Sequence, residues 1–194
     1  MREGDLILMG PPGSGKGTQA KVLASTPGWV HLATGDLFRD NLRRGTDLGK
    51  LAESYMSRGL YVPDDITVGM VRQRLPQIGV GDRIILDGFP RTVHQAEALD
   101  ELLRENGRHV GRVVVIDCAR EELTDRLVRR GQGRSDDTPE VIGKRFDVYG
   151  EQTRPVIEHY ERQGAVRRVD GTGTVDEVHA RILSAIGAAS GVAG

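Results

Sequence analysis

Among 194 residues there is one cysteine, Cys118, and one tryptophan, and aromatic residues make up only 4% of the chain. A single thiol cannot close an internal disulfide or build a cysteine-based zinc site. Because it follows the apolar run Val113-Val114-Val115-Ile116, Cys118 reads as a small strand-end residue rather than a nucleophile. No apolar run approaches the ~18 residues of a membrane-spanning helix. Charge of one sign is also missing: 27 Lys and Arg face 28 Asp and Glu, so there is no overall basic field of the kind nucleic-acid binders use. The opening Met1-Arg2-Glu3-Gly4-Asp5 lacks the apolar stretch and small-residue cleavage site of a secretory leader, and a cytoplasmic location is expected. Lysine is scarce, 4 against 23 arginines, and guanidinium offers a rigid fork of donors suited to phosphate oxygens. The five histidines, at positions 31, 94, 109, 159 and 179, show no ligand spacing and read as structural or surface residues.

What the chain does have is alternation. Short apolar or β-branched runs at 6–9, 29–32, 83–86, 110–116 and 165–169 predict strands. Apolar residues at helical spacing fill the gaps. Helices are predicted from a start at 15–18 and over 37–44, with Thr34 or Asp36 as the candidate N-cap, and over 48–58, 64–75, 92–106, 121–130, 139–163 and 175–186. Strands with unbroken apolar runs suit a parallel sheet covered on both faces, so the expected fold is a single α/β domain over 1–194, a three-layer sandwich around five parallel strands. Two intervals exceed what a crossover needs: the roughly fifty residues between the second and third strands, turned at Gly45-Thr46 and Gly59, and the polar, arginine-rich "RRGQGRSDDTPE". Both are candidate moving parts.

The stretch "GPPGSGKGTQ" follows the first strand and opens the first helix. Gly10 to Lys16 satisfies G-x-x-x-x-G-K in the context that pattern needs. Glycines let backbone N–H groups turn inward around phosphate oxygens, the helix adds its positive end, and the lysine reaches the outer phosphates. Gly13, Ser14, Gly15, Lys16, Gly17 and Thr18 therefore read as a P-loop, with Gly17 standing where many P-loops carry a serine or threonine for magnesium. Asp87, leaving the third strand in "LDGFPRTVHQA", is placed to organise Mg²⁺ through its waters. A bare turn would explain the glycines but not Lys16. A nucleotide-dependent switch, for which this loop alone would suffice, is the rival from another class.

Four further stretches, with G-K-G-T-Q, resemble the nucleoside monophosphate kinases and the adenylate kinases above all: "TGDLFR" at 34–39, "LDGFPRTVHQA" at 86–96, "LTDRLVRRGQGRSDDTPEVIGKR" at 123–145 and "VDGTG" at 169–173. The resemblance spans 6–187. It implies transfer of a phosphoryl group from Mg-ATP to AMP, giving two ADP, in a direct in-line step that serves adenine nucleotide balance. The implied partners are ATP, AMP and ADP, with Mg²⁺ as cofactor, no nucleic acid or membrane, and a monomeric chain. It further implies a helical monophosphate-binding insertion at 33–62 and a short lid at 129–139 without zinc ligands.

By the same resemblance, Thr34, Arg39, Leu60, Tyr61, Val62, Gly88, Phe89, Pro90, Arg91 and Gln95 hold AMP, with Thr34 and Gln95 at the adenine and Arg39 and Arg91 at its phosphate. Arg126 stacks on the ATP adenine, against which Gly173 lends backbone. Arg130, Arg134 and Arg145 meet the transferring phosphates, Lys16 and Arg91 complete the catalytic set, and Asp136 and Asp137 position the lid. A uridylate/cytidylate kinase of the same fold is the nearer rival, and Thr34 and Thr92 weigh against it because those relatives typically carry alanine and asparagine there.

Overall fold

A computed structural model describes residues 4–79, 81–129, 136 and 138–187. Among these, five strands form one parallel sheet: β1 (Asp5–Met9), β2 (Trp29–Ala33), β3 (Arg83–Asp87), β4 (Val110–Asp117) and β5 (Val166–Asp170), in the order β2-β3-β1-β4-β5. The helices of the described residues are α1 (Lys16–Ala24), α2 (Thr34–Arg43), α3 (Asp47–Met56), α4 (Asp64–Arg74), α5 (Val93–Glu105), α6 (Arg120–Arg129), α7 (Pro139–Val148), α8 (Arg154–Glu161) and α9 (Val175–Ile186). The α/β sandwich expected from the alternation is the observed one, and each expected strand lies within about one residue of its observed bounds. No described helix is long and apolar enough to cross a membrane.

The sheet explains why its strands read as unbroken apolar runs. Along β1, Ile7 and Met9 join one buried cluster with Val68 and Val71 of α4, Leu99, Leu102 and Leu103 of α5, and Val156, Ile157 and Tyr160 of α8. Leu6 and Leu8 point the other way, into Ala20 and Leu23 of α1 and Val178, Ile182 and Ile186 of α9. Both faces are covered, so neither can carry polar residues cheaply. A third, smaller cluster of Phe38, Ala52 and Val62 packs α2, α3 and the segment before α4 on each other, within the 33–62 segment anticipated as an insertion.

Three local expectations are refined. The helix anticipated from 37, with Thr34 or Asp36 as its cap, begins at Thr34; Ala33 is the cap residue and no side chain caps it. The Thr34 hydroxyl is engaged elsewhere, donating to Gly88 O at 2.9 Å. The single helix anticipated over 139–163 is α7 and α8 joined by a π-helical turn, Tyr149–Thr153, which stays helical but widens the coil. Gly45 and Gly59 do mark turns, both with positive φ, and Thr46 caps α3 by accepting from Gly49 N–H.

Asp5 closes the polar opening of the chain, but it is 3% exposed. Its carboxylate accepts from Arg108 Nε at 2.8 Å and Nη2 at 2.7 Å, and from Ile84 N–H at 2.8 Å. This buried pair ties the start of β1 to β3 and to the turn before β4. At their opposite, carboxyl ends β1 and β3 carry the loops 10–15 and 88–91, which line the site. Strand order reverses around β1, and such a switch point is where open parallel sheets form a ligand crevice.

Candidate active site

The register of the sheet assembles the site. Leu8 pairs with Asp87, so the glycine-rich loop after Met9 and the carboxylate that ends β3 emerge side by side. Ala33 pairs with Asp87 from the other flank, which sets Thr34 beside Gly88. Above these ends opens a cavity of about 680 Å³, within the size range of small-molecule sites.

On one side lies the loop 10–15. Gly13 has φ 85°, and a Cβ there would sit 2.7 Å from Leu123 O, so the loop can lie this close to α6 only with glycine. Lys16 Nζ donates to Gly10 O at 2.7 Å, Pro11 O at 2.9 Å and Ser14 Oγ at 3.2 Å, curling the ammonium back over the loop. Gly15 caps α1 with no side-chain bond, and no acidic residue occupies the first turn. The positive helix end is thus left to whatever anion enters. Gly17 has its own reason: a Cβ there would lie 3.3 Å from Asp87 Oδ2, tighter than ordinary contact. A serine in that position would crowd the Asp87 carboxylate.

Asp87 is itself unusual. Burial pushes its carboxyl up, but the adjacent His31 ring and the charges of Lys16 and Arg91 outweigh burial and hold it below the ordinary range. It is a carboxylate poised for a cation. His31 Nε2 lies 3.4 Å from Asp87 Oδ2 and is buried without a hydrogen-bond partner among the described residues, so this histidine stands behind the carboxylate without lining the cavity itself. No described group of three or more His, Cys, Asp or Glu could cage a metal ion. One ionised carboxylate beside a phosphate loop fits Mg²⁺, which keeps its waters and takes its remaining ligands from substrate phosphates.

The other side is built from α2, the segment 60–62 and the turn 88–91. Gly88 O accepts from Thr34 Oγ1 and from Arg91 Nε at 2.8 Å. The Arg91 guanidinium stands over the Tyr61 ring, 4.8 Å from its centroid, within the range of cation–π attraction. Tyr61 OH bonds Thr153 Oγ1 at 2.8 Å, and Thr153 Oγ1 donates to Arg91 O at 2.9 Å, so the π-helical turn braces Arg91 from behind. Arg39 pairs with Asp36 one turn back on α2. Gln95 is 1% exposed. At the remaining rim, Arg126 Nη2 donates to Gly171 O at 2.9 Å and pairs with Glu122, which brings α6 to the turn that contains Gly173. Arg145 Nη1 bonds Asp136 Oδ2 at 3.0 Å and Asp136 O at 2.9 Å.

Every sequence-predicted site residue that is described lines this one cavity: Gly13, Ser14, Gly15, Lys16, Gly17, Thr18, Thr34, Arg39, Leu60, Tyr61, Val62, Asp87, Gly88, Phe89, Pro90, Arg91, Gln95, Arg126, Arg145 and Gly173. Arg130, Arg134 and Asp137, with most of the anticipated lid 129–139, lie outside the described residues. Asp36, Tyr149 and Thr153 also line the cavity and are not anticipated by the motifs; a threonine inside a long amphipathic helix gives no local sign that it faces a site.

A sequence model described as "Adenylate kinase" matches residues 8–165. The chain belongs to the adenylate kinase family. Proteins named adenylate kinase agree with it nearly end to end: 48% identity over 184 residues in Thermus thermophilus, covering 94% of this chain and 96% of that one. A Stenotrophomonas maltophilia protein is 49% identical over 93% of this chain and 98% of its own. The Xanthomonas euvesicatoria protein is 50% identical over 94% and 98%.

Proposed function

We propose that the ATP:AMP phosphotransferase activity that comes with this family runs in the cleft described above by direct in-line transfer, within a single chain acting as a monomer. One observation carries this reading: the loop lysine, Lys16, and the arginines Arg39, Arg91 and Arg145 line the same cavity. That provides a grip for a donor triphosphate and a second grip for an acceptor phosphate.

ATP lies with its phosphates in the loop 10–15 and its adenine between Arg126 and the Gly173 turn. AMP lies with its base against Thr34 and Gln95 and its phosphate on Arg39 and Arg91. The attacking AMP phosphate is already anionic, so the step asks for alignment and neutralisation of charge rather than for a base. Lys16, Arg91 and Arg145, with Arg130 and Arg134, supply that charge. Asp87 would hold Mg²⁺, which would supply charge neutralisation on the donor phosphates. Residues 33–62 act as the acceptor-binding insertion and 129–139 as a short lid.

Steady-state kinetics with ATP and each nucleoside monophosphate test the reading. Buried polar groups left unmatched by a smaller ring discriminate strongly, so kcat/KM for AMP should exceed that for UMP and CMP at least about a hundredfold. Thr34→Ala should narrow that gap and Gln95→Ala should weaken AMP, with ATP affinity barely moved in either. Equal use of UMP and AMP would overturn the acceptor assignment while leaving the kinase fold intact.

A further inference from the structure

Asp64 is the first residue of α4 and does not line the cavity, yet it is bonded to a residue that does. Its Oδ1 accepts from Gln95 Nε2 at 2.7 Å, and its Oδ2 accepts from Thr92 Oγ1 at 2.7 Å. The other end of the same amide is held as well: Gln95 Oε1 accepts from Arg91 N–H at 2.8 Å. A glutamine amide can ordinarily turn over, exchanging its oxygen and its nitrogen at little cost. Here it cannot. Turned over, the NH₂ group would face a backbone N–H and the carbonyl oxygen would face a carboxylate, so two hydrogen bonds would become two repulsions in a site where Gln95 is 1% exposed.

An amide has two N–H donors and two acceptor lone pairs. Asp64 and Arg91 N–H take one of each, leaving one donor and one acceptor in a fixed spatial order. Purine bases differ in the order they present. The adenine edge sets an amino donor beside a ring-nitrogen acceptor, whereas guanine sets a carbonyl acceptor beside a ring N–H donor. A single amide can pair with either edge, but only by turning over between them.

We propose that Asp64 is a positioning residue for purine selection: by locking the Gln95 amide in one sense, it makes the acceptor site accept AMP and reject GMP. The proposal rests on the reading of Gln95 as facing the acceptor base. Arg91 N–H is the second half of the lock, but as a backbone group it cannot be removed by changing a side chain, which leaves Asp64 as the testable half.

The experiment measures kcat/KM for AMP and for GMP, with ATP as donor, in the full chain and in Asp64→Asn, Gln95→Ala and the double variant. An asparagine at 64 can offer either an oxygen or an NH₂ group, so it removes one of the two repulsions that oppose turning the amide over and leaves only the one at Arg91 N–H. The wild type should favour AMP, and Asp64→Asn should lower the AMP-to-GMP ratio by about tenfold or more, with KM for ATP unchanged. In the Gln95→Ala background the same change at 64 should have no further effect on the ratio, a non-additivity that a merely structural role would not produce. If Asp64→Asn does not fold, Asp64→Ser, whose hydroxyl both donates and accepts, serves the same purpose. An unchanged ratio in the Asp64 variant, while Gln95→Ala alters it, overturns the proposal and leaves the base-facing reading standing. An equal fall in both backgrounds also overturns it. If Gln95→Ala itself leaves the ratio untouched, the base-facing reading fails and the proposal with it.

Discussion

Arg108→Met removes a charge that lies far along the sheet from the cleft, and the structure sets how much it should cost. Asp5 and Arg108 side chains are 3% and 9% exposed and joined by two short N–H···O bonds. Without the guanidinium, the Asp5 carboxylate keeps the Ile84 N–H but loses its counter-charge in a dry environment. Removing one member of such a buried pair costs about 3–5 kcal/mol. For a chain of this length, that corresponds to a fall in Tm of about 6–20 °C. Urea unfolding followed by circular dichroism gives the free energy directly, with Asp5→Asn and the double variant closing the cycle. The double variant should cost less than the two singles together, because each single already leaves its partner stranded. Neither residue lines the cavity, so kcat measured well below the transition should stay within about twofold. A cost below about 1 kcal/mol for Arg108→Met would refute the reasoning, since it would mean that water reaches Asp5.

Lys16→Met should lower kcat by about a hundredfold or more while moving the nucleotide KM values far less, as loss of a charge felt mainly in the transition state does; stopped assays at saturating ATP and AMP decide it, and an unchanged kcat would contradict the role. The Asp87 carboxyl is held below its ordinary value, so its contribution to stability is fully present above the unfolded carboxylate range and is lost as pH falls through the lower, folded value. Acid titration of the nucleotide-free protein should therefore show a loss of stability below about pH 4 that is reduced in Asp87→Asn; identical acid limbs would count against the depressed carboxyl.

Much of this is readable from the chain, for physical reasons that differ by element. β1 and β4 are legible because a strand covered on both faces runs apolar through its buried stretch, Leu6–Met9 and Val113–Ile116 here. The loop 10–15 is legible because phosphate binding by backbone demands glycine at fixed intervals, followed by a lysine. Thr34 is located by its motif but reads wrongly as a cap, because the hydroxyl that could have capped α2 bonds Gly88, 54 residues away. Asp5 and Arg108 are 103 residues apart, and Asp64 and Gln95 are 31 apart. No local periodicity announces such pairs; they exist only once the sheet has set its register. His31 reads as structural or surface in the sequence, and nothing in its neighbours on β2 signals that Asp87 will arrive beside it from β3.

Among the described residues, several cations of the cleft already have company. Lys16 rests on loop oxygens, Arg39 on Asp36, Arg126 on Glu122 and Gly171 O, and Arg145 on Asp136. On the proposed reading, a nucleotide arriving there enters a competition, and a phosphate contact made by Lys16, Arg39 or Arg145 is won by dismissing an incumbent. Exchange of this kind makes the net affinity of any one contact small, because what is gained on the phosphate is partly returned by the carboxylate or carbonyl set loose. For a reversible reaction whose substrates and products are all phosphorylated nucleotides, that serves turnover: a cleft lined with unpartnered arginines would seize ADP as firmly as it seized ATP and be slow to let go.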